Sequence, residues 1–250
     1  MGEVEPYSRL AGVYDELVVD PCFPVWADFL DVLWCSDADE VRTVLDVCCG
    51  TGLLAAELIP RGYAVVGIDA SQPMLDRARA RLGRVVDLRR ATLPELPVDG
   101  IFDAAVSTFD GLNYLPPTDF RASLAAIAQR LRPGGWLVFD IHTDAMLALA
   151  AENPRLDGEE DGRAFSLANA VDPAARTVDT TVDFEDDQGA VSETHRQYFH
   201  PDDEVHSALA DAGFDVIGVV DEYSSRPAGA STMRATWVCR LGLPIPAPRT

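Results

Sequence analysis

The sequence predicts an α/β protein built on a doubly wound, mostly parallel sheet, with helices ahead of the sheet and an antiparallel flap inserted near its end. Three observations carry that expectation. Short apolar, β-branched runs alternate with segments of helical period. A glycine-rich turn, CCGTG, joins the first such run to its helix. Beyond residue 160 the pattern changes to alternating polarity, as half-buried antiparallel strands require.

The elements follow in order. YSRLAGVYDELV and PVWADFLDVLW repeat their apolar residues at helical spacing, so 1–38 is expected to form two lid helices ahead of the first strand. RTVLDVCC is a strand, LLAAELIPR a helix and AVVGID a second strand. Ser71 with Pro73 behind it starts the helix through PMLDRARARL. VVDLRRAT and FDAAVST are strands, and TDFRASLAAIAQRLR is a helix ended by Pro133-Gly134-Gly135 before the strand WLVFDI. After a short helix at DAMLALAAE, NPRLDGEEDG reads as an acidic loop, and 160–199 as the flap. The helix PDDEVHSALADAGF then leads to two last strands, DVIGVVDEY and ATWVCRLG, and to a frayed tail, LPIPAPRT. All 250 residues are expected to form one domain.

Charge and composition narrow the function. The 41 acidic residues outnumber the 20 basic ones, for a formal charge of -21, so a nucleic-acid backbone is repelled. Every basic residue is arginine. The absence of lysine excludes Schiff-base catalysis and the P-loop lysine of Walker-type NTPases. Five cysteines without CxxC spacing read as reduced core thiols, with no metal site. No run of 18 apolar residues and no cationic, hydrophobic leader is visible, so a cytoplasmic protein without membrane attachment is expected.

Gly50, Gly52 and Ala55 satisfy G-x-G-x-x-G/A, and Asp69 ends the second strand 19 residues beyond Gly50. That spacing fits a nicotinamide dinucleotide as well as S-adenosylmethionine. Charge separates the two, because a pyrophosphate at the turn is opposed by a carboxylate at Asp46, whereas a sulfonium and an ammonium are favoured by it. Asp46 is therefore expected to hold the amino-acid end of the ligand, directly or through water, and Asp69 to accept from both ribose hydroxyls.

Val44 to Gly52 resembles motif I of the class I S-adenosylmethionine-dependent methyltransferases, and GIDAS resembles their acidic segment after motif I. FDAAVSTFDGLNYL and LRPGGWLVFDIHT are similar to later landmarks in the same order, so the resemblance spans nearly the whole chain. It implies a Rossmann-like sheet of seven strands with the last antiparallel. It also implies S-adenosylmethionine as cofactor, held by Asp46, Cys48, Gly50, Thr51, Gly52, Asp69, Ala70, Met74, Thr92, Leu93 and Thr108, with Tyr7 and Tyr14 of the YD-bearing lid folded over it. ETHRQYFHPDDEVHSALADAGF resembles N-methyltransferases acting on amino sugars of natural products. One position departs from the family: the third strand ends in Ala91, Thr92 and Leu93, where an acidic residue commonly meets the adenine amine.

Ligands in such sheets bind beyond the carboxyl ends of the strands. Asp110, Asn113, Tyr114 and His142 are expected there as acceptor-binding residues, with His142, Tyr14 and His195 as candidates for proton handling. In an extended AVSETHRQYF, His195, Gln197 and Phe199 share one face, while Arg196 and Tyr198 share the other. Arg196 and Tyr198 are the acceptor candidates on that second face. The expected function is methyl transfer to a small molecule, N-methylation ahead of O-methylation, with a nicotinamide dehydrogenase and a non-catalytic binder of the same ligand as rivals. A flap of this size can cover a neighbouring subunit, so a homodimer is a further expectation.

Overall fold

The computed structural model describes residues 6–17, 22–35, 40–160 and 163–243. The first five residues, parts of the expected 1–38 lid and the tail LPIPAPRT lie outside the described residues.

A seven-stranded sheet forms the centre, in the order β10-β11-β5-β4-β1-β2-β3. Its first four strands are β1 (Thr43–Val47), β2 (Ala64–Asp69), β3 (Asp87–Arg90) and β4 (Phe102–Ser107). The remainder are β5 (Leu131–His142), β10 (Phe214–Asp221) and β11 (Arg234–Leu241). β11 runs antiparallel to both neighbours, and the pairs among β1 to β5 are parallel. The chain reverses its winding direction between β1 and β4, so the ends of these strands open the crevice in which ligands bind in such sheets.

Helices cover both faces. α2 (Cys22–Cys35), which follows a single helical turn α1 (Tyr14–Leu17), buries Trp26, Ala27, Leu30 and Trp34 along one stripe of helical period. α3 (Leu53–Leu58) and α4 (Gln72–Leu82) share that face of the sheet. The Ser71 hydroxyl accepts from the Met74 amide at 3.3 Å and caps α4, as Ser71 and Pro73 predict. α5 (Pro117–Ala128) and α7 (Asp202–Asp211) close the other face, and α6 (Asp144–Glu152) leads into a second sheet.

That second sheet is an antiparallel meander, β6 (Arg155–Glu160), β7 (Arg163–Asp172), β8 (Thr177–Asp186) and β9 (Gly189–Tyr198). It begins within NPRLDGEEDG, which the sequence reads as a loop. β6 is an edge strand with Leu156 more than half exposed, and Arg155, Asp157 and Glu159 are exposed as well, so the strand lacks an alternation of apolar and polar residues. The second difference lies at Pro133-Gly134-Gly135, which sits inside β5. β5 pairs with β4 at Leu131 and again from Trp136, so these residues form a bulge between two paired stretches. A Cβ on Gly135 would stand 2.9 Å from the Arg132 carbonyl oxygen, which explains the small residue there.

Candidate active site

β1 delivers the chain into a tight loop in which Cys48, Gly50 and Gly52 all have positive φ. At Gly52 an added Cβ would approach Leu82 Cδ1 to 2.7 Å, so the glycine lets α3 start against α4. Asp69, at the end of β2, accepts from the Gly50 amide and the Ser71 amide, each at 2.8 Å. Its carboxylate is thereby fixed at the rim of a cleft of about 640 Å³, a size that suits a small organic ligand. Burial raises the Asp69 pKa, and amide hydrogen bonds from Ser71, Gly50 and Ala70 oppose that rise.

Asp46 is buried behind the loop, which leaves the indirect of the two expected ways of holding a ligand. Its side chain is 1% exposed, lines no part of the cleft, and leaves both oxygens without a hydrogen-bond partner. Burial, reinforced by Asp69, pushes its pKa up to about 8. The negative cleft inferred from the sequence therefore rests on Asp69, while Asp46 is an unsatisfied acceptor behind the loop. Such a pair of orphan oxygens fits an ammonium group reached through the loop or through water.

The N-terminal segment closes over the cleft and is tied down on both sides. Asp15 accepts from Thr51 Oγ1 and from Arg81, each at 2.6 Å, and Ser71 Oγ donates to the Tyr7 carbonyl at 3.1 Å. On the flap side, Glu193 Oε1 accepts from the Arg9 amide at 2.6 Å, the Leu10 amide at 3.0 Å and Ser8 Oγ at 3.1 Å. Arg9 also pairs with Asp186, and Leu10 and Val13 pack on Val182, Phe184 and Val191 of the flap.

Beyond β4, Phe109 and Asp110 both have positive φ. Buried Asp140 of β5 holds them there by accepting from their amides at 2.8 and 2.6 Å. Arg234 of β11, stacked over Trp26 and Phe109, reaches Asp110 at 3.4 Å. A second, smaller cavity of about 160 Å³ lies here, lined by Asp110, Thr180, Val182, His195 and Gln197 together with aromatic residues. Tyr7, Tyr14, Phe109 and Tyr114 line both cavities and so mark their junction.

Of the expected cofactor residues, Tyr7, Tyr14, Cys48, Gly50, Thr51, Asp69, Ala70, Met74, Thr92 and Thr108 line the large cleft. Gly52 shapes the loop from behind, and Leu93 faces the core. Of the expected acceptor residues, Asp110 and Tyr114 line the second cavity and Asn113 does not. Asn113 is instead a bracket, accepting from the His142 amide at 2.9 Å and donating to the Tyr198 carbonyl at 2.8 Å. His142 lines neither cavity. Its ring stacks on Phe199, and its Nε2 stands 3.5 Å from Asp110, so it supports that carboxylate from behind.

The flap question resolves toward His195 and Gln197. Glu193 and His195 are buried on the inner face of β9, whereas Arg196 points outward into a two-pronged pair with Asp179 at 2.6 Å. Tyr198 lies on the outward face beside it and lines neither cavity. Sequence reading missed Arg90, which lines the cleft at the end of β3 where Thr92 was the candidate. It also missed Glu193, whose signal was an acidic residue two positions before His195 and therefore on the same strand face. Among the described residues no group of His, Cys, Asp and Glu could hold a metal ion, and no helix is long and apolar enough to cross a membrane.

Comparison with known proteins agrees with this geometry. Residues 44–135 match the methyltransferase domain family. An uncharacterized methyltransferase of Geobacillus kaustophilus is 32% identical over 185 residues, covering 72% of this chain and 79% of that protein. A crystal structure of an S-adenosylmethionine-dependent methyltransferase from Clostridium acetobutylicum superposes with a TM-score of 0.84 at 24% identity, covering 94% of this chain and 99% of that one. An amino pentose methyltransferase from Micromonospora echinaspora, solved with S-adenosylmethionine bound, gives 0.72 at 23% identity over 96% and 100%. The chain belongs to the S-adenosylmethionine-dependent methyltransferase family.

Proposed function

We propose that the protein methylates a small-molecule amine, with S-adenosylmethionine in the large cleft and the acceptor in the second cavity. One observation carries this reading: the two cavities share Tyr7, Tyr14, Phe109 and Tyr114, so ligands in them would meet at a junction walled by rings. The sulfonium supplies an activated methyl group there. The chain's own task is alignment and exclusion of water, which is worth several kcal/mol in a displacement of this kind.

In this reading Asp69 takes the ribose hydroxyls, and the loop from Cys48 to Thr51 takes the amino-acid end, backed by Asp46. Met74, Thr92 and Arg90 surround the base. The aromatic junction presents π faces to a cationic methyl group and to an ammonium. Asp110, held by Gln197 at 2.5 Å and by Arg234, gives the second cavity an acidic wall that favours an amine. The free thiols Cys48 and Cys49 beside the cleft suit a reducing compartment, and the proposal places the enzyme in the cytoplasm, with no nucleic-acid acceptor.

Titration calorimetry with S-adenosylmethionine and with NAD, followed by a methyl-label assay on amino sugars and their hydroxyl analogues, tests this. Saturable binding of the sulfonium compound alone and label on the amino sugars are expected. Label on the hydroxyl analogues alone would make it an O-methyltransferase, and binding of NAD in its place would refute the reading.

A further inference from the structure

The junction also carries a path for a proton. Tyr7 and Tyr114 place their hydroxyl oxygens 2.6 Å apart, and the Tyr114 hydroxyl stands 3.1 Å from His195 Nδ1. On the far side of that ring, His195 Nε2 faces Glu193 Oε2 at 3.6 Å. Both of those atoms are buried and neither has a hydrogen-bond partner. A buried donor and a buried acceptor so placed are satisfied together by a shift of a few tenths of an ångström.

Direction follows from Glu193. It is 0% exposed, and its other oxygen accepts from Ser8, Arg9 and Leu10. Burial raises its pKa, but the adjacent His195 ring and hydrogen bonds from Arg9, Leu10 and Ser8 outweigh that and hold the carboxyl below the usual range. An ionised carboxylate beside Nε2 fixes the proton on that nitrogen and leaves Nδ1 bare to accept from Tyr114. Tyr114 then accepts from Tyr7, whose side chain lies between the two cavities.

We propose that Tyr7, Tyr114 and His195 form a proton relay, polarised by Glu193, that removes the proton of the acceptor amine during methyl transfer. The proposal rests on the amine-methylation reading above. As the acceptor nitrogen bonds to the methyl carbon, the carbon–sulfur bond breaks and sulfur keeps its electron pair. The proton released from nitrogen passes to the Tyr7 oxygen, the Tyr7 proton to Tyr114, and the Tyr114 proton to His195 Nδ1. The resulting imidazolium lies against the Glu193 carboxylate. Tyr7 is the catalytic residue of this set, and Glu193 is a positioning residue.

Glu193→Gln is the sharpest variant, because its amide oxygen can still accept from Ser8, Arg9 and Leu10 while its amide nitrogen opposes the Nε2 proton. Long-range proton–nitrogen correlation spectra of histidine-labelled protein, which holds 4 histidines and is assigned with His195→Gln, read the tautomer without any acceptor. The expected result is a protonated Nε2 and bare Nδ1 in the native protein, with the tautomer reversed by Glu193→Gln. With an amino sugar turned over in the label assay, Glu193→Gln and Tyr114→Phe are expected to lower kcat about 100-fold, with donor affinity measured by calorimetry changed less than about twofold. A proton on Nδ1 in the native protein, or native kcat in both variants, would overturn the relay. Failure of the native protein to bind S-adenosylmethionine would instead refute the methyl-transfer reading, and the tautomer result would stand apart from it.

Discussion

Asp46 and Asp69 lie within one loop's reach and do different work. Asp69 is satisfied by two amides and faces the cleft, so in the proposed reading its loss removes charge-assisted hydrogen bonds to the ligand. Asp69→Ala is expected to weaken S-adenosylmethionine binding roughly ten- to a hundredfold by calorimetry, whereas His142→Ala is expected to leave it unchanged. Asp46 has a folded-state pKa raised from 3.8 to about 8. The fold therefore retains a proton that the unfolded chain releases, so this contribution to stability is whole below pH 3.8 and is lost as pH rises toward 8. Asp46→Asn removes the titration. Its stability relative to the native protein, read from denaturant midpoints at pH 5 and pH 8, is expected to improve with pH by at most about 1.4 kcal/mol per unit; parallel behaviour would contradict the assignment. The two aspartates were legible in the sequence as a pair. Their separation into a rim carboxylate and a buried one was not, because spacing does not report which side chain the loop covers.

At the level of elements, the lid and flap form a unit of their own. Leu10, Val13, Val182, Phe184 and Val191 make a small satellite core apart from the two large clusters beside the main sheet. Such a core can open locally without global unfolding. Leu10→Ala is expected to cost this unit about 2 kcal/mol or more, seen as faster amide exchange at Leu10 and Val13 while β1 and β4 exchange at native rates. Uniform acceleration throughout the chain would show that the lid belongs to the main cooperative unit. The helices and parallel strands were legible from the period of their apolar residues, and at α4 the cap Ser71 agrees with it. Elements whose local signal contradicts their setting were not. Pro133-Gly134-Gly135 carries loop residues inside β5, and β6 carries an edge strand's charges, so only pairing with neighbours identifies either as strand.

Across the whole molecule, the alternation of strands and helices specifies the sheet, and the sheet's reversal between β1 and β4 places both cavities at one end. A sequence shows that crevice through its glycine turn, but it does not show which inward residues of a distant flap close it. His195 and Glu193 come within reach of Tyr7 and Tyr114 only because β9 is laid over the N-terminal segment. The central claim is that the two cavities are the donor and acceptor halves of one active site. A crystal structure with S-adenosylhomocysteine tests it most directly. The account expects the ribose on Asp69 and the sulfur directed at the junction of Tyr7, Tyr14, Phe109 and Tyr114; a sulfur turned away from the second cavity, or a product bound outside the large cleft, would contradict it.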